Sequence, residues 1–387
     1  MMRKLIDMRP AALIFAVGLW TLNLCGETAA AKGNPLFHSE TMPSGETMIV
    51  RSVFDPPCEI AGFPWRRPAA RTLYRFSPEV AKQLSPTLRH IAHCTSGGTV
   101  RFATDSRRIM IRITLKHALP GGNMSYSGTG GAELGVNCGT PEEVLFPVMI
   151  PNADELAGKK PIQRTFTVSG EKQLREFTLY LPLYSGVMAL EIGVHPGSRL
   201  TAPRPMRVKD PICFYGSSIT QGGCASRPSN SYAAMLCREL DAPQVNLGFT
   251  GNCRGEEVIA HAIAGLKLSA LVMDYDYNAP NEQHLRDTHE KFFRIVREAQ
   301  PDLPIILISG PRDPQWPDSA ARRDIVRETY DKAVAAGDKN VYFIDGLSFF
   351  DKVPRKYATV DQIHPNDLGM YIMFQRILPV LQQALAK

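Results

Sequence analysis

Polar and apolar side chains alternate through much of 108–115: Arg108, Ile109, Met110, Ile111, Arg112, Ile113, Thr114, Leu115. Successive side chains of a strand point to opposite faces, so this period of two predicts a half-buried β-strand. Segments 165–168, 176–181 and 187–194 read the same way. Glycine and proline clusters at 120–122, 128–131 and 195–197 separate them, and His195-Pro196 belongs to such a turn. Short strands, frequent turn signals and almost no helical periodicity predict an all-β sandwich or jelly roll over 33–200. Segment 80–93 fits either a helix or a loop.

From 201 to 211 prolines and charges break every periodicity, which marks a linker. Beyond it, over 212–387, the pattern changes character. Apolar runs at 212–215, 244–247, 268–273, 305–308 and 341–344 alternate with helical patterns at 232–240, 256–263, 284–300, 320–336 and 368–385. Strand–helix alternation of this kind predicts an α/β domain, a parallel sheet with helices on both faces. In such sheets ligands bind beyond the carboxyl ends of the strands.

Composition changes little in this picture. The 387 residues are 44% hydrophobic and 21% charged, ordinary for a globular protein, and long enough for two cores. The formal net charge is +6 without any block of Lys or Arg, and Arg66-Arg67 and Arg322-Arg323 read as solvated pairs, so nucleic acid is not an expected partner. Arg3, Lys4 and Arg9, then the apolar run 11–20, then small residues at 28–31 are the three parts of a secretory signal. We expect 1–31 to be removed and the protein exported to the periplasm or the extracellular space, without stable membrane insertion. A lipoprotein anchor at Cys25 is the weaker alternative, because Leu24 is bulky where a small residue is wanted.

There are eight cysteines, with no C-x-x-C and no zinc-type spacing. Cys213 and Cys237 fall in apolar patterns as small buried hydrophobes. Cys224 and Cys253 follow two loops expected to be neighbours, where an oxidising compartment would allow a bridge.

Four short blocks carry the candidate chemistry. Tyr215-Gly216-Ser217-Ser218 ends the first strand of the α/β half; Asn246-Leu247-Gly248-Phe249-Thr250-Gly251-Asn252 follows the second. Asp274-Tyr275-Asp276-Tyr277-Asn278 ends the third, and Asp361-Gln362-Ile363-His364-Pro365 precedes the last helix. In this order they resemble the SGNH, or GDSL-type, serine hydrolases, with Ser217 where Asp is commoner. Gly131-Ala132-Glu133-Leu134-Gly135 resembles the G-x-D-L-Y landmark of a β-domain that precedes some of them, with Glu133 and Gly135 departing from it.

The resemblance implies a three-layer α/β/α esterase domain behind a β-sandwich. Ser218 would be the nucleophile, His364 its general base and Asp361 the group that orients the ring. The oxyanion would be held by the backbone N–H groups of Ser218 and Gly251 and the side chain of Asn278. It implies no metal and no cofactor. By the same resemblance the expected activity is hydrolysis of short-chain, O-acetyl esters on a small-molecule or polysaccharide substrate. A lipid or thioester acyl hydrolase is the alternative within the enzyme class. A carbohydrate-binding protein on an inactive hydrolase fold is the alternative outside it. Tyr275 and Tyr277 are expected to crowd the acyl pocket if they point inward. Arg227, Asn230, Arg254, Glu256 and Arg312 are expected either to rim it or to tie loop ends.

Overall fold

A computed structural model of the chain describes residues 37–119 and 122–386. The expected signal segment and Cys25 lie outside these residues. The first half folds into two antiparallel sheets. One has the strand order His38–Thr41, Thr47–Ser52, Ser185–Val194, Arg108–Ala118, Ile162–Thr167. The other runs Leu200–Thr201, Thr99–Thr104, Arg175–Tyr180, Glu133–Val136, Val144–Leu145, with Glu59–Ala61 also paired to Thr99–Thr104.

The alternation seen in sequence decides what lies between them. Ile109, Ile111, Ile113 and Leu115 point inward from one sheet and meet Val100, Phe102, Phe177 and Leu179 from the other. Met110, on the opposite face of its strand, joins Met42, Met48 and Val50 instead. Each aliphatic side chain so buried contributes on the order of 2 kcal/mol.

Segment 80–93 resolves into two short helices, Pro78–Gln83 and Pro86–Ile91. Each starts at a Ser-Pro pair. The Ser77 and Ser85 hydroxyls accept hydrogen bonds from Val80 N and Leu88 N, both at 3.2 Å, and the proline that follows has its φ already set for a first turn. The segment expected as linker begins inside a strand, since Thr201 pairs with Ala103.

The second half is a five-stranded parallel sheet in the order Gln244–Gly248, Ile212–Gly216, Ala270–Asp274, Ile305–Ile308, Val341–Ile344. Alternate residues of each strand face opposite layers. Cys213, Tyr215, Leu271, Met273, Ile305 and Leu307 pack with helices Glu257–Ala264, Glu282–Ala299 and Ser319–Ala335. Ile212, Phe214, Ala270, Val272, Ile306 and Ile308 pack with helices Tyr232–Leu240 and Asp367–Leu385. This is the three-layer arrangement. No helix among the described residues is long and apolar enough to cross a membrane.

The sandwich and the sheet belong to one compact unit, and buried polar contacts join them. Glu133, in the place of the landmark acid, is fully buried; it pairs with Arg227 at 2.8 Å and accepts a hydrogen bond from the Ser229 hydroxyl. Burial pushes its carboxyl above the usual range, while Ser229 and Arg227 pull the other way. The landmark residue of the β-domain therefore clasps the loop just after the serine block.

Candidate active site

The strand register sets the site. Gly216 lies beside Gly248 on one side and Asp274 on the other, so three of the four blocks leave the sheet at one edge. Ser217 caps the short helix Ser218–Gln221, its hydroxyl accepting from Ile219 N at 3.2 Å. Serine thus performs there the capping that Asp also can. Gly248 permits a close approach: a Cβ there would sit 2.3 Å from Gln221 N. The Asn246 amide donates to Thr220 O at 2.7 Å and holds the two loops together.

Ser218 is 8% exposed and its Oγ lies 2.8 Å from His364 Nε2. His364 Nδ1 lies 2.7 Å from Asp361 Oδ2. Asp361 Oδ1 accepts from the backbone N–H groups of Ile363 at 3.1 Å and His364 at 2.7 Å. Burial alone would raise the Asp361 pKa. The His364 backbone and ring and the Asn123 amide outweigh it and hold the carboxyl well below the usual range. The serine, histidine and aspartate anticipated in sequence are therefore joined in one hydrogen-bonded line.

The oxyanion candidates are placed less uniformly. Gly251 has φ +62°, and no described residue accepts a hydrogen bond from its N–H or from that of Ser218. The Asn278 amide instead donates to Phe249 O at 3.1 Å and, closely, to Asn252 O. In this conformation it clamps the glycine block.

Several residues were not anticipated. Asn123, from the sandwich, donates to Asp361 Oδ2 at 2.8 Å. The Tyr184 hydroxyl donates to Ser218 O at 3.1 Å. Arg75 is fully buried under the glycine block, donating to Gly248 O at 2.7 Å, Asn246 O at 3.1 Å and Ile91 O at 3.1 Å, with its guanidinium 4.1 Å above the Phe249 ring. Burial lowers its pKa to about 10, so it stays charged at neutral pH. A cleft of about 470 Å³ opens beside His364, and half its wall is sandwich: Thr87, His90, Leu119, Asn123, Met124 and Tyr184. Each sits far from the four blocks in sequence, so pattern reading had no signal for them.

The fold resolves three open expectations. Tyr275 turns into the core, its hydroxyl 3.0 Å from Thr288 Oγ1, and Tyr277 donates to Pro311 O at 3.0 Å; neither lines the cleft. Of the two readings of the charged residues near the blocks, the structure favours loop-end ties: Arg227 with Glu133, Arg312 with Asp318 at 2.7 Å, Glu256 accepting from Tyr215 at 2.7 Å, and Arg254 donating to Gly251 O at 3.2 Å. Cys224 and Cys253 are both free thiols. Cys224 lines the cleft and donates to Asn123 O, whereas Cys253 is buried against Leu247 O in the helical layer. Both sit in loop turns with positive φ, +69° and +66°.

A three-layer sheet carrying a serine, a glycine, an asparagine and an Asp-x-x-His block at its carboxyl edge, behind an antiparallel sandwich, is the architecture of an SGNH hydrolase. The comparisons agree. The GDSL-like Lipase/Acylhydrolase family matches residues 209–382, and the N-terminal domain of SGNH-hydrolase-type esterases matches 53–200. The chain belongs to this family and is an ester-hydrolysing enzyme with an N-terminal β-domain.

Among solved structures, a protein from Bacteroides ovatus described as a GDSL-like lipase is 24% identical, with TM-score 0.77 over 88% of this chain and 98% of that one. The salicylyl-acyltransferase SsfX3 from a tetracycline biosynthetic pathway is 19% identical, with TM-score 0.73 over 88% and 99%. An acetyl xylan esterase, Est2A, from the rumen bacterium Butyrivibrio proteoclasticus is 13% identical, with TM-score 0.58 over 88% and 99%. At these identities the likeness is one of fold. No curated protein matches the sequence.

Proposed function

We propose that the protein is an exported serine esterase that removes short acyl groups, foremost O-acetyl, from carbohydrate. The observation that carries this reading is the line from Ser218 Oγ through the His364 ring to Asp361, at 2.8 and 2.7 Å. A serine hydroxyl attacks an ester only if its proton is taken during attack, and His364 Nε2 stands where it can take it. Asp361 keeps the Nδ1 proton in place, leaving Nε2 free to accept, and stabilises the imidazolium that forms.

Attack gives a tetrahedral oxyanion within reach of the two uncommitted N–H groups, those of Ser218 and Gly251. Asn278 supplies the third donor once its amide turns from Asn252 toward the oxyanion. His364 then returns the proton to the leaving sugar hydroxyl, and water repeats the cycle on the acyl-serine. The open cleft shared with the sandwich suits a bulky, hydroxylated leaving group, and the acetyl xylan esterase of like fold supports the same substrate class.

Labelling with a fluorophosphonate probe tests the serine. Acetate release from a panel of acetylated polysaccharides tests the substrate. Folded protein that takes no adduct on Ser218 would leave the inactive, carbohydrate-binding reading standing. Labelled protein that releases no acetate from any member would return the acyl-hydrolase alternative.

A further inference from the structure

A second cleft, of about 700 Å³, lies in the sandwich half, and nothing in the ester chemistry uses it. Its walls combine the aromatic rings of Trp65, Tyr74 and Phe76 with four cations, Arg66, Arg67, Arg71 and Lys116. Arg71 is neutralised by Asp55 through two bonds of 2.9 Å. Arg66 is anchored by Ala70 O at 3.0 Å. Glu79 is the one carboxylate among the described lining residues. Among the described residues Lys116 meets the His93 ring at 3.3 Å and no carboxylate. The cleft therefore keeps an excess of positive charge that the fold does not consume.

The aromatic members are held rigid. Trp65 stacks on Phe76 at 5.7 Å, and the Tyr74 hydroxyl donates to Arg89 O at 3.1 Å. Fixed rings beside solvent-reachable cations match a sugar ring that offers an apolar C–H face and bears a negative charge.

The cleft is also joined to the catalytic one. Tyr74 meets His93 with ring centroids 4.6 Å apart, His93 meets His117 at 5.7 Å, and His117 meets His90 at 4.6 Å. His90 is a wall of the cleft beside His364. A row of four half-exposed or exposed rings thus runs from one cleft to the other. Burial, with Lys116 nearby, pushes the pKa of His93 down to about 4, and burial does the same to His117, so both are neutral at pH 7. No group of ligands among the described residues is arranged to hold a metal, so the row is a surface and not a metal centre.

We propose that this cleft is a subsite for a carboxylated sugar of the same polysaccharide whose ester lies over Ser218, which makes the substrate an acidic, O-acylated polysaccharide. The ring row is the platform along which the chain reaches from one cleft to the other. The proposal rests on the esterase reading for the identity of the ester end only.

The test is calorimetric titration of the full protein with an unesterified oligogalacturonate. A neutral xylo-oligosaccharide, a sulfated oligosaccharide and polyglutamate of similar length serve as comparators. The uronate should bind best, and more weakly as salt rises. Arg67 and Lys116 are both exposed, so the double variant Arg67→Ala/Lys116→Ala should keep its Tm and lose roughly tenfold in affinity. Equal binding of the neutral oligomer, of polyglutamate or of the sulfated sugar would overturn the uronate subsite. So would a double variant that binds like wild type, or a wild type that binds nothing. Fluorophosphonate labelling of wild type separates the two readings: labelled protein that ignores uronate sinks the subsite alone, and unlabelled protein that binds it sinks the esterase alone.

Discussion

Asn123, a residue of the β-domain, lies with its amide nitrogen 2.8 Å from Asp361 Oδ2 and 3.3 Å from His364 Nδ1. The carboxylate that orients the imidazole is itself oriented from the other half of the chain. This contact ties the sandwich to the chemistry as well as to the cleft wall.

Asn123→Ala should therefore lower kcat roughly tenfold with little change in KM, since a hydrogen bond to a charged group is lost without touching the ester. A variant that loses stability but keeps the kcat of wild type would make Asn123 only a structural contact.

Ser218→Ala and His364→Ala should each remove most of the activity, and the double variant should be little worse, because the two act as a unit. Asp361→Ala should cost less. Asn278→Ala should cost on the order of a hundredfold in kcat if its amide serves the oxyanion. Steady-state kinetics on folded variants checks all four, and robust activity in Ser218→Ala would sink the assignment.

Asp361 gives a pH signature in stability. Its folded pKa is depressed, so its contribution is present above the unfolded value of about 3.9 and is lost as pH falls through the folded value. The Tm difference between wild type and Asp361→Asn should be constant from neutral pH down to about 5 and shrink below about 4. A difference independent of pH would contradict the pairing.

Arg75→Met should destabilise by several kcal/mol, because it strands the buried carbonyls of Asn246 and Gly248, leaves Ile91 O with the Cys94 N–H alone, and removes a charge stacked on Phe249. Urea unfolding measures this directly. A loss below about 1 kcal/mol would mean that water replaces the guanidinium.

Acetyl esters of p-nitrophenol should show higher kcat/KM than butyryl esters, with octanoyl esters hardly cleaved. The cleft beside His364 is walled by Tyr184, Met124 and Thr87, and each added methylene that meets no apolar wall there forfeits up to ~0.8 kcal/mol of burial. A profile rising toward octanoate would promote the lipid-hydrolase alternative and leave the serine mechanism intact.

The sequence by itself determined the layered halves, because strand and helix periods of two and 3.6 are written in neighbouring residues. The family resemblance of its four blocks pointed to Ser218, Asp361 and His364, which the fold joins in one hydrogen-bonded line, and to Gly251 and Asn278, whose oxyanion roles are part of the proposal. What it could not show is contact across the chain. Arg75 reaches Gly248 across 173 positions, and Asn123 reaches Asp361 across 238. Whether Arg227, Arg254 and Arg312 rim the cleft or tie loop ends stayed open for the same reason: a charge near a motif looks free until its partner folds beside it. Tyr275 likewise faces the helical layer because the pleat of its strand sends it there. Motif and period are local, whereas burial, pairing and the shared wall of the cleft exist only once the sandwich docks on the sheet.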